Sequence, residues 1–281
     1  MSDRPPLAQW RTFWTSGGWV TAVLAAVLYL ALYLGAGKLG QGVLGADLNP
    51  DTMFESARGV VLFLLLPLVT GSVILLAFTV SLGWTRTLFA RQPVPGRRWM
   101  WLAPVLVAAA IVLRAFGIDY GGYPASVIVL TYLSGLLVGF SEEILSRGIV
   151  VRMLRAKSHP EWVVMVVSSL IFALMHSTNI LSGQAVLTVM ITMVFAFTFG
   201  ICMYLTLRVT GNLAWAMLLH GLYDPTLILA SGGIDRAAGA AHSPLLELAA
   251  PANAVYLALG AVALLAVRGR VPAAGRETRH S

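Results

Sequence analysis

Runs of about 20 mainly apolar residues recur eight times along the chain, and a run of that length can cross a bilayer as an α-helix. The predicted spans are 19–37, 57–82, 100–116, 124–146, 161–180, 185–207, 211–230 and 249–267. Only 11% of the 281 residues are charged, and mean hydropathy is +0.81. An ordinary soluble domain carries about 25% charged residues. We therefore predict an all-α fold, with residues 1–281 forming a single integral membrane domain of about eight transmembrane helices.

Basic residues are concentrated in alternate connections and in both tails, and this bias predicts the orientation. One side of the predicted bundle carries the basic residues of segments 4–11, 86–98, 147–157, 208 and 268–281. Since cytoplasmic loops accumulate Lys and Arg, we expect both termini in the cytoplasm, with 268–281 as a basic cytoplasmic tail. The expected location is the cell (plasma) membrane, and a composition rich in Ala, Arg and Gly favours a bacterial source.

The same loop bias accounts for the net charge of +7, so we expect a lipid bilayer around the protein and no nucleic-acid partner. Aromatic residues are not interleaved with the basic ones, as they would be on a nucleic-acid surface. Arg58 and Arg114 lie near predicted helix ends, and we expect both to be anchors whose charged groups reach the interface.

Three carboxylates lie at membrane depth in this scheme: Glu142, Glu143 and Asp224. A carboxylate at the centre of a membrane helix costs roughly 2.5–3.5 kcal/mol, and two adjacent carboxylates also repel each other. Such a pair persists only with partners or a function. Arg147 follows the pair by five and four residues, so it is expected to pair with Glu142 or Glu143, unless it is an ordinary cytoplasmic anchor.

Two histidines, His176 and His220, also lie within apolar runs. If a turn near Pro160 joins two antiparallel helices, Glu142 and His176 are equally far from it and lie at one height. His220 and Asp224 are four residues apart and share one helix face. These groups, with the second glutamate, are therefore predicted to line one cavity. The other three histidines are predicted to lie at the surface: His159, His242 and His280.

The fourth predicted helix carries a small-xxx-small pattern at Gly135 and Gly139. This pattern lets a second helix approach closely, so the helix with the glutamate pair is expected at the centre of the bundle.

Two kinds of chemistry suit this set of side chains. A carboxylate beside a histidine can take a proton from water, while a second histidine with a polar neighbour stabilises an oxyanion. Alternatively, His176 and His220 with Asp224 or Glu142 could hold Zn²⁺ with one position open to water. Both routes lead to hydrolysis inside the bilayer. The sequence contains no HExxH motif, which excludes the zinc-protease helix built on it.

At these residues the chain resembles the CAAX-processing and bacteriocin-processing (CPBP, or ABI) family of intramembrane proteases. The resemblance covers about residues 125–230, the expected catalytic core, and rests on three motifs in order. They are Glu142-Glu143-x-x-x-Arg147, Phe172-x-x-x-His176 and His220-x-x-x-Asp224.

The resemblance implies an endopeptidase that cleaves membrane-embedded or lipid-associated peptides. It implies that Glu142 is the general base, that His176 helps to activate water, and that His220 and the residue at 224 steady the oxyanion. Glu143 and Arg147 would be supporting residues.

Position 224 departs from the branch of the family that trims prenylated CAAX proteins, which has an Asn there. An ionised Asp224 cannot donate a hydrogen bond to an oxyanion, so it suits a metal ligand or a group that orients His220. The metal-assisted mechanism therefore stays open, with zinc as its cofactor.

Two further classes of function remain as alternatives. The first is a non-catalytic immunity or scaffold protein with the same fold. The second is a transporter or proton relay, since ionisable residues inside a helix bundle also mark such pathways. A transporter would be expected to contain inverted repeats with interrupted helices at matching positions, and the sequence has neither. The sequence does not predict the oligomeric state.

Overall fold

The protein is described by a computed structural model over residues 5–45, 47–233 and 243–272. Within these ranges it contains helices, turns and no β-strand, and eight helices are long and apolar enough to cross a membrane. The predicted all-α bundle is thus confirmed. The spans are α2 (Trp19–Leu44), α3 (Ala57–Leu82), α4 (Arg98–Gly117), α5 (Ala125–Ala156), α6 (Glu161–Ser182), α7 (Val186–Thr210), α8 (Leu213–Ser231) and α9 (Pro244–Ala266), and they follow a short helix, α1 (Pro6–Thr15).

Helix α5 continues ten residues beyond its predicted end at 146. Its last part carries charged residues, which made that part look like a loop from hydropathy alone. The arginines there have partners inside the fold: Arg147 pairs with Glu143, and Arg155 pairs with Glu161. Because these charges are satisfied by neighbours rather than by water, the helix does not have to end at the membrane surface.

A π-helical turn, Ile144–Val150, interrupts α5 directly after Glu143. A π-turn has one more residue than an α-turn and is often found at functional sites. Every residue of this turn is buried. The helix is therefore surrounded by protein at the level of the acidic pair.

Helices α5 and α8 are in close backbone contact where the small-xxx-small pattern lies. A Cβ atom added at Gly139 would stand 2.2 Å from the Met217 carbonyl oxygen, and one at Gly135 would stand 2.6 Å from the Gly221 carbonyl oxygen. Side chains at these positions would force the helices apart. The predicted close packing of this helix is confirmed, and it brings the acidic pair of α5 beside α8.

The basic connections meet at one end of the bundle. The amide of Gly96 donates to the Arg208 carbonyl (2.8 Å), which joins the α3–α4 connection to the end of α7. Gly18, before α2, donates to the Met153 carbonyl near the end of α5 (2.7 Å). The described parts of the α3–α4, α5–α6 and α7–α8 connections therefore lie on one side, as predicted, while the assignment of that side to the cytoplasm stays a prediction.

A buried ion cluster ties this end together. Glu161, at the start of α6, accepts from Arg155 Nη2 (2.6 Å), Arg208 Nη1 (3.1 Å) and the Tyr204 hydroxyl. Its amide donates to the Gly269 carbonyl (2.9 Å). The cluster links α5, α6, α7 and the segment after α9.

The prediction for Arg114 is wrong. Its side chain is buried, its guanidinium lies 4.5 Å from the centre of the Tyr223 ring, and Nη2 donates to the Tyr223 hydroxyl (3.3 Å). An aromatic face inside the bundle thus replaces the membrane interface as its neighbour. Arg58, in contrast, is exposed and pairs with Asp47 at 2.9 Å.

Of the three histidines predicted to lie at the surface, His159 alone belongs to the described residues. His159 is half-buried at the α5–α6 turn, with its ring against Trp19. His242, His280 and residues 273–281 of the predicted tail lie outside the described residues.

Candidate active site

Glu143 and Arg147 form a fully buried ion pair. Their side chains are 0% exposed, and Arg147 Nη1 lies 3.1 Å from Glu143 Oε1. Arg147 Nη2 also donates to the Gly200 carbonyl on α7 (2.7 Å), and the guanidinium stands 4.5 Å from the centre of the Phe172 ring on α6. Arg147 is therefore no surface anchor. It pairs with the second glutamate and holds α5 against α6 and α7.

His220 of α8 lies among three carboxylates. Its Nδ1 lies 2.8 Å from Glu143 Oε1, a hydrogen-bond distance, so Nδ1 donates to this acceptor. Its Nε2 faces Asp224 Oδ2 at 3.5 Å and Glu142 Oε2 at 3.8 Å. The rings of Phe172 and Phe199 pack edge-on against the imidazole. Nδ1 of His220 is thus bound to the buried Glu143, while Nε2 faces Glu142 and Asp224.

The adjacent glutamates differ in access. The Glu142 side chain is 24% exposed and that of Asp224 is 28% exposed, whereas Glu143 is fully buried. The separation of 3.8 Å between Glu142 and His220 is too long for a direct hydrogen bond but suits a bridging water. Glu142 and Asp224 are therefore the carboxylates that a water molecule or a substrate can reach.

His176 approaches this group from α6, where the helix tightens into a 3₁₀ segment, His176–Ser182. Its Nδ1 lies 3.1 Å from the Phe172 carbonyl oxygen. A carbonyl only accepts, so Nδ1 carries the proton in the neutral ring and leaves Nε2 as an acceptor. The side chain is half-buried and lies within electrostatic range of Glu142. No contact as short as those of His220 joins it to the acids.

The helix rise relates the depths of Glu142 and His220 in the bundle. Glu142 lies about 21 Å from the end of α5, while His220 lies only about 10 Å from the start of α8, at 1.5 Å per residue. Their proximity means that the α5–α6 hairpin extends roughly 10 Å beyond the α7–α8 turn. The protrusion puts residues from three helices at one level.

Two tyrosines near the site have no counterpart among the predictions. Tyr29 and Tyr33 of α2 stack with ring centres 5.9 Å apart, and both lie within electrostatic range of Glu142. Tyr29 also lies close to Ser141, the residue before Glu142. Their spacing of four residues places them on one helix face, and this spacing is the only feature of the sequence that could have predicted a pair of tyrosines beside the site. Aromatic residues in an apolar run are usually packing residues, so this spacing alone does not indicate a functional site.

The geometry gives no support to the zinc alternative. Among the described residues, no group of three His, Cys, Asp or Glu side chains is arranged so that it could hold a metal ion. His220 instead hydrogen-bonds Glu143 through Nδ1 at 2.8 Å and faces Asp224 through Nε2 at 3.5 Å. Zinc plays no part in the mechanism proposed below.

Comparison with known proteins adds one finding. Residues 124–226 match the family model described as "Type II CAAX prenyl endopeptidase Rce1-like". This match confirms the resemblance to the CPBP family. Neither a curated protein nor a solved structure matches the chain significantly. The Rce1-like segment begins just before α5 and ends two residues after Asp224, so all six predicted site residues lie within it.

Proposed function

We propose that this multi-pass membrane protein is an intramembrane endopeptidase that hydrolyses peptide bonds of membrane-embedded or lipid-associated substrates. The observation that carries the proposal is the convergence of Glu142, His220 and Asp224, with His176 nearby, inside the Rce1-like segment. The type II CAAX endopeptidase model supports protease activity for this segment. We further propose the plasma membrane of a bacterium as its location.

Glu142 is the general base in this proposal. It is accessible, and it lies within reach of a water shared with His220 Nε2. Glu142 Oε2 takes a proton from that water as the oxygen attacks the carbonyl carbon of the peptide bond, and His176 orients the water through its acceptor nitrogen. Glu142 then gives the proton to the leaving nitrogen as the C–N bond breaks.

His220 stabilises the oxyanion in this proposal. Its Nδ1 is bound to Glu143, which orients the ring so that an Nε2–H faces the reacting carbonyl oxygen. Asp224, as an ionised acceptor, holds Nε2–H in place before substrate binds and favours the charged imidazolium. Asp224 is thus a positioning group and not a donor, which accounts for an aspartate where relatives that trim prenylated proteins have an asparagine.

Glu143 and Arg147 are positioning residues. Because Glu143 accepts from both Arg147 and His220, it links the cation to the histidine that faces the substrate. Both side chains are 0% exposed, so the pair acts on the substrate through His220.

The test is cleavage by purified protein in liposomes. A panel of labelled membrane peptides, with and without a C-terminal prenylated cysteine, is incubated with wild type, Glu142→Gln and His176→Ala. Glu55→Gln serves as the control because it removes an exposed carboxylate outside the site. We expect cleavage by wild type and the control only, unchanged by a chelator. Cleavage by Glu142→Gln would refute the base, loss with the chelator would favour the zinc alternative, and no cleavage by wild type would favour an immunity or scaffold protein.

A further inference from the structure

A second cavity of about 410 Å³ lies at the end of the bundle where the basic connections meet. Its walls come from α1, from the connection between α3 and α4, from the last turns of α5 and from the segment after α9. It approaches the active site only at the buried Arg147. The catalytic groups Glu142, His176, His220 and Asp224 do not line it.

The cavity wall carries four arginines and, among the described residues, no carboxylate. Two of these cations are neutralised by carboxylates that lie outside the cavity. Arg147 pairs with Glu143, and Arg155 pairs with Glu161. Their charges therefore contribute little net attraction inside the cavity.

The other two cations, Arg91 and Arg152, are not neutralised. Neither forms an ion pair with any acid in the described ranges, and both side chains are exposed. The Arg152 guanidinium stands 4.9 Å from the centre of the Trp84 ring, which holds it at the cavity wall. Two uncompensated guanidinium groups at one cavity favour an anionic ligand, and guanidinium binds phosphate with paired hydrogen bonds.

Two buried donors at the same cavity point to the same kind of ligand. Trp14 is 2% exposed, and its indole Nε1 has no hydrogen-bond partner among the described residues. Arg147 Nε is likewise buried, and no acceptor among the described residues bonds to it. Leaving a buried donor unpaired costs free energy, and both residues line this cavity. The lining thus contains two buried donors that no acceptor of the described residues satisfies.

The position of the cavity identifies the source of the phosphate. Helix α1 exposes Leu7, Trp10 and Phe13, while the next aromatic, Trp14, is buried against the bundle. A short helix with an exposed apolar face beside the bundle is typical of one that lies in the membrane interface. The exposed Trp10 on this face fits the same depth, because tryptophan collects at the level of the lipid headgroups.

We propose that this cavity binds the phosphate group of an anionic glycerophospholipid, with Arg91 and Arg152 as its charged ligands. The apolar residues at its edge and the exposed face of α1 then lie beside the acyl chains. Basic pockets between membrane helices bind lipid headgroups in the same way. This site is separate from the proposed proteolysis and does not depend on it.

The test is lipid binding measured by native mass spectrometry. Protein in detergent is titrated with phosphatidylglycerol or phosphatidylcholine, as wild type and as the double variant Arg91→Gln/Arg152→Gln. The control is Arg97→Gln/Arg98→Gln, which removes two exposed charges, at the end of the same connection and the start of α4, from outside the cavity. We expect the double variant to lose roughly tenfold in phosphatidylglycerol affinity per arginine, since a charged hydrogen bond has about that worth.

The control variant should bind phosphatidylglycerol like wild type, and wild type should prefer it to phosphatidylcholine. An equal loss in both variants would assign binding to diffuse surface charge and overturn the proposal, as would unchanged binding in the double variant. A competition with inorganic phosphate separates the two sources of the anion. If phosphate displaces the lipid at equal concentration, the cavity takes free phosphate and the lipid assignment is wrong. Binding in Glu142→Gln should equal that of wild type, whether or not the protein cleaves peptides.

Discussion

Replacing Gly139 by alanine should destabilise the bundle, although alanine is the better helix former. The added Cβ would lie 2.2 Å from the Met217 carbonyl oxygen and 2.6 Å from the Gly221 amide nitrogen. Contacts below 3.0 Å essentially do not occur for a Cβ atom. Both neighbours are backbone atoms, so no side chain can turn away. Helices α5 and α8 must therefore separate by about 1 Å, and overpacking of this kind costs about 1–3 kcal/mol.

Gly35→Ala is the matched control. Gly35 lies in α2 with no atom within 4 Å of its added Cβ, so only the preference of alanine for helix acts there, about 1 kcal/mol in the stabilising direction. The two variants should change the free energy of unfolding with opposite signs. The measurement is unfolding of purified protein by SDS in mixed micelles, followed by circular dichroism.

If Gly139→Ala is as stable as Gly35→Ala, the close contact between α5 and α8 is not what positions the site. A second readout comes from cleavage. A displacement of about 1 Å between Glu142 and His220 should lower peptidase activity on the order of 100-fold, while Gly35→Ala stays near wild type.

Four other substitutions can be measured in the same unfolding assay. Glu143→Gln should lower stability by about 3–5 kcal/mol because it leaves the buried Arg147 without a carboxylate, whereas Glu142→Gln should change it by less than about 1 kcal/mol. The reverse order would refute the assignment of Glu143 as the structural partner. Glu161→Gln should cost at least about 3 kcal/mol, since two buried arginines then face each other; a neutral result would mean that water or lipid satisfies them. Arg114→Met should leave stability unchanged or raise it, because this buried cation pairs with no acid in the described ranges; a large loss would show that its contact with an aromatic ring stabilises the bundle.

The parts of the fold that local sequence controls were predictable. The eight spans follow from apolar runs of bilayer length, because a membrane helix must satisfy its backbone internally and present apolar side chains to lipid. The contact at Gly139 follows from the absence of side chains. The pairing of an arginine with a glutamate four residues earlier follows from helix geometry.

Features that depend on tertiary partners were missed. Hydropathy counts Arg147 and Arg155 as charges and cannot register that Glu143 and Glu161 neutralise them, so the end of α5 was placed too early. Arg114 looked like an interface anchor for the same reason, since the Tyr223 ring that receives it lies more than 100 residues away in sequence.

The sequence by itself determined that two carboxylates, a nearby arginine and histidines would meet inside a helical membrane bundle, because the bilayer penalises each of them when it is unpaired. It did not determine which of Glu142 and Glu143 is buried and which is accessible to water. Adjacent residues on a helix point about 100° apart, and the rotation of α5 about its axis decides which one turns inward. That rotation is set by the contact with α8 and by the position of Gly200 and Phe172 around Arg147. Only the tertiary packing therefore buries Glu143 against Arg147 and leaves Glu142 accessible to water.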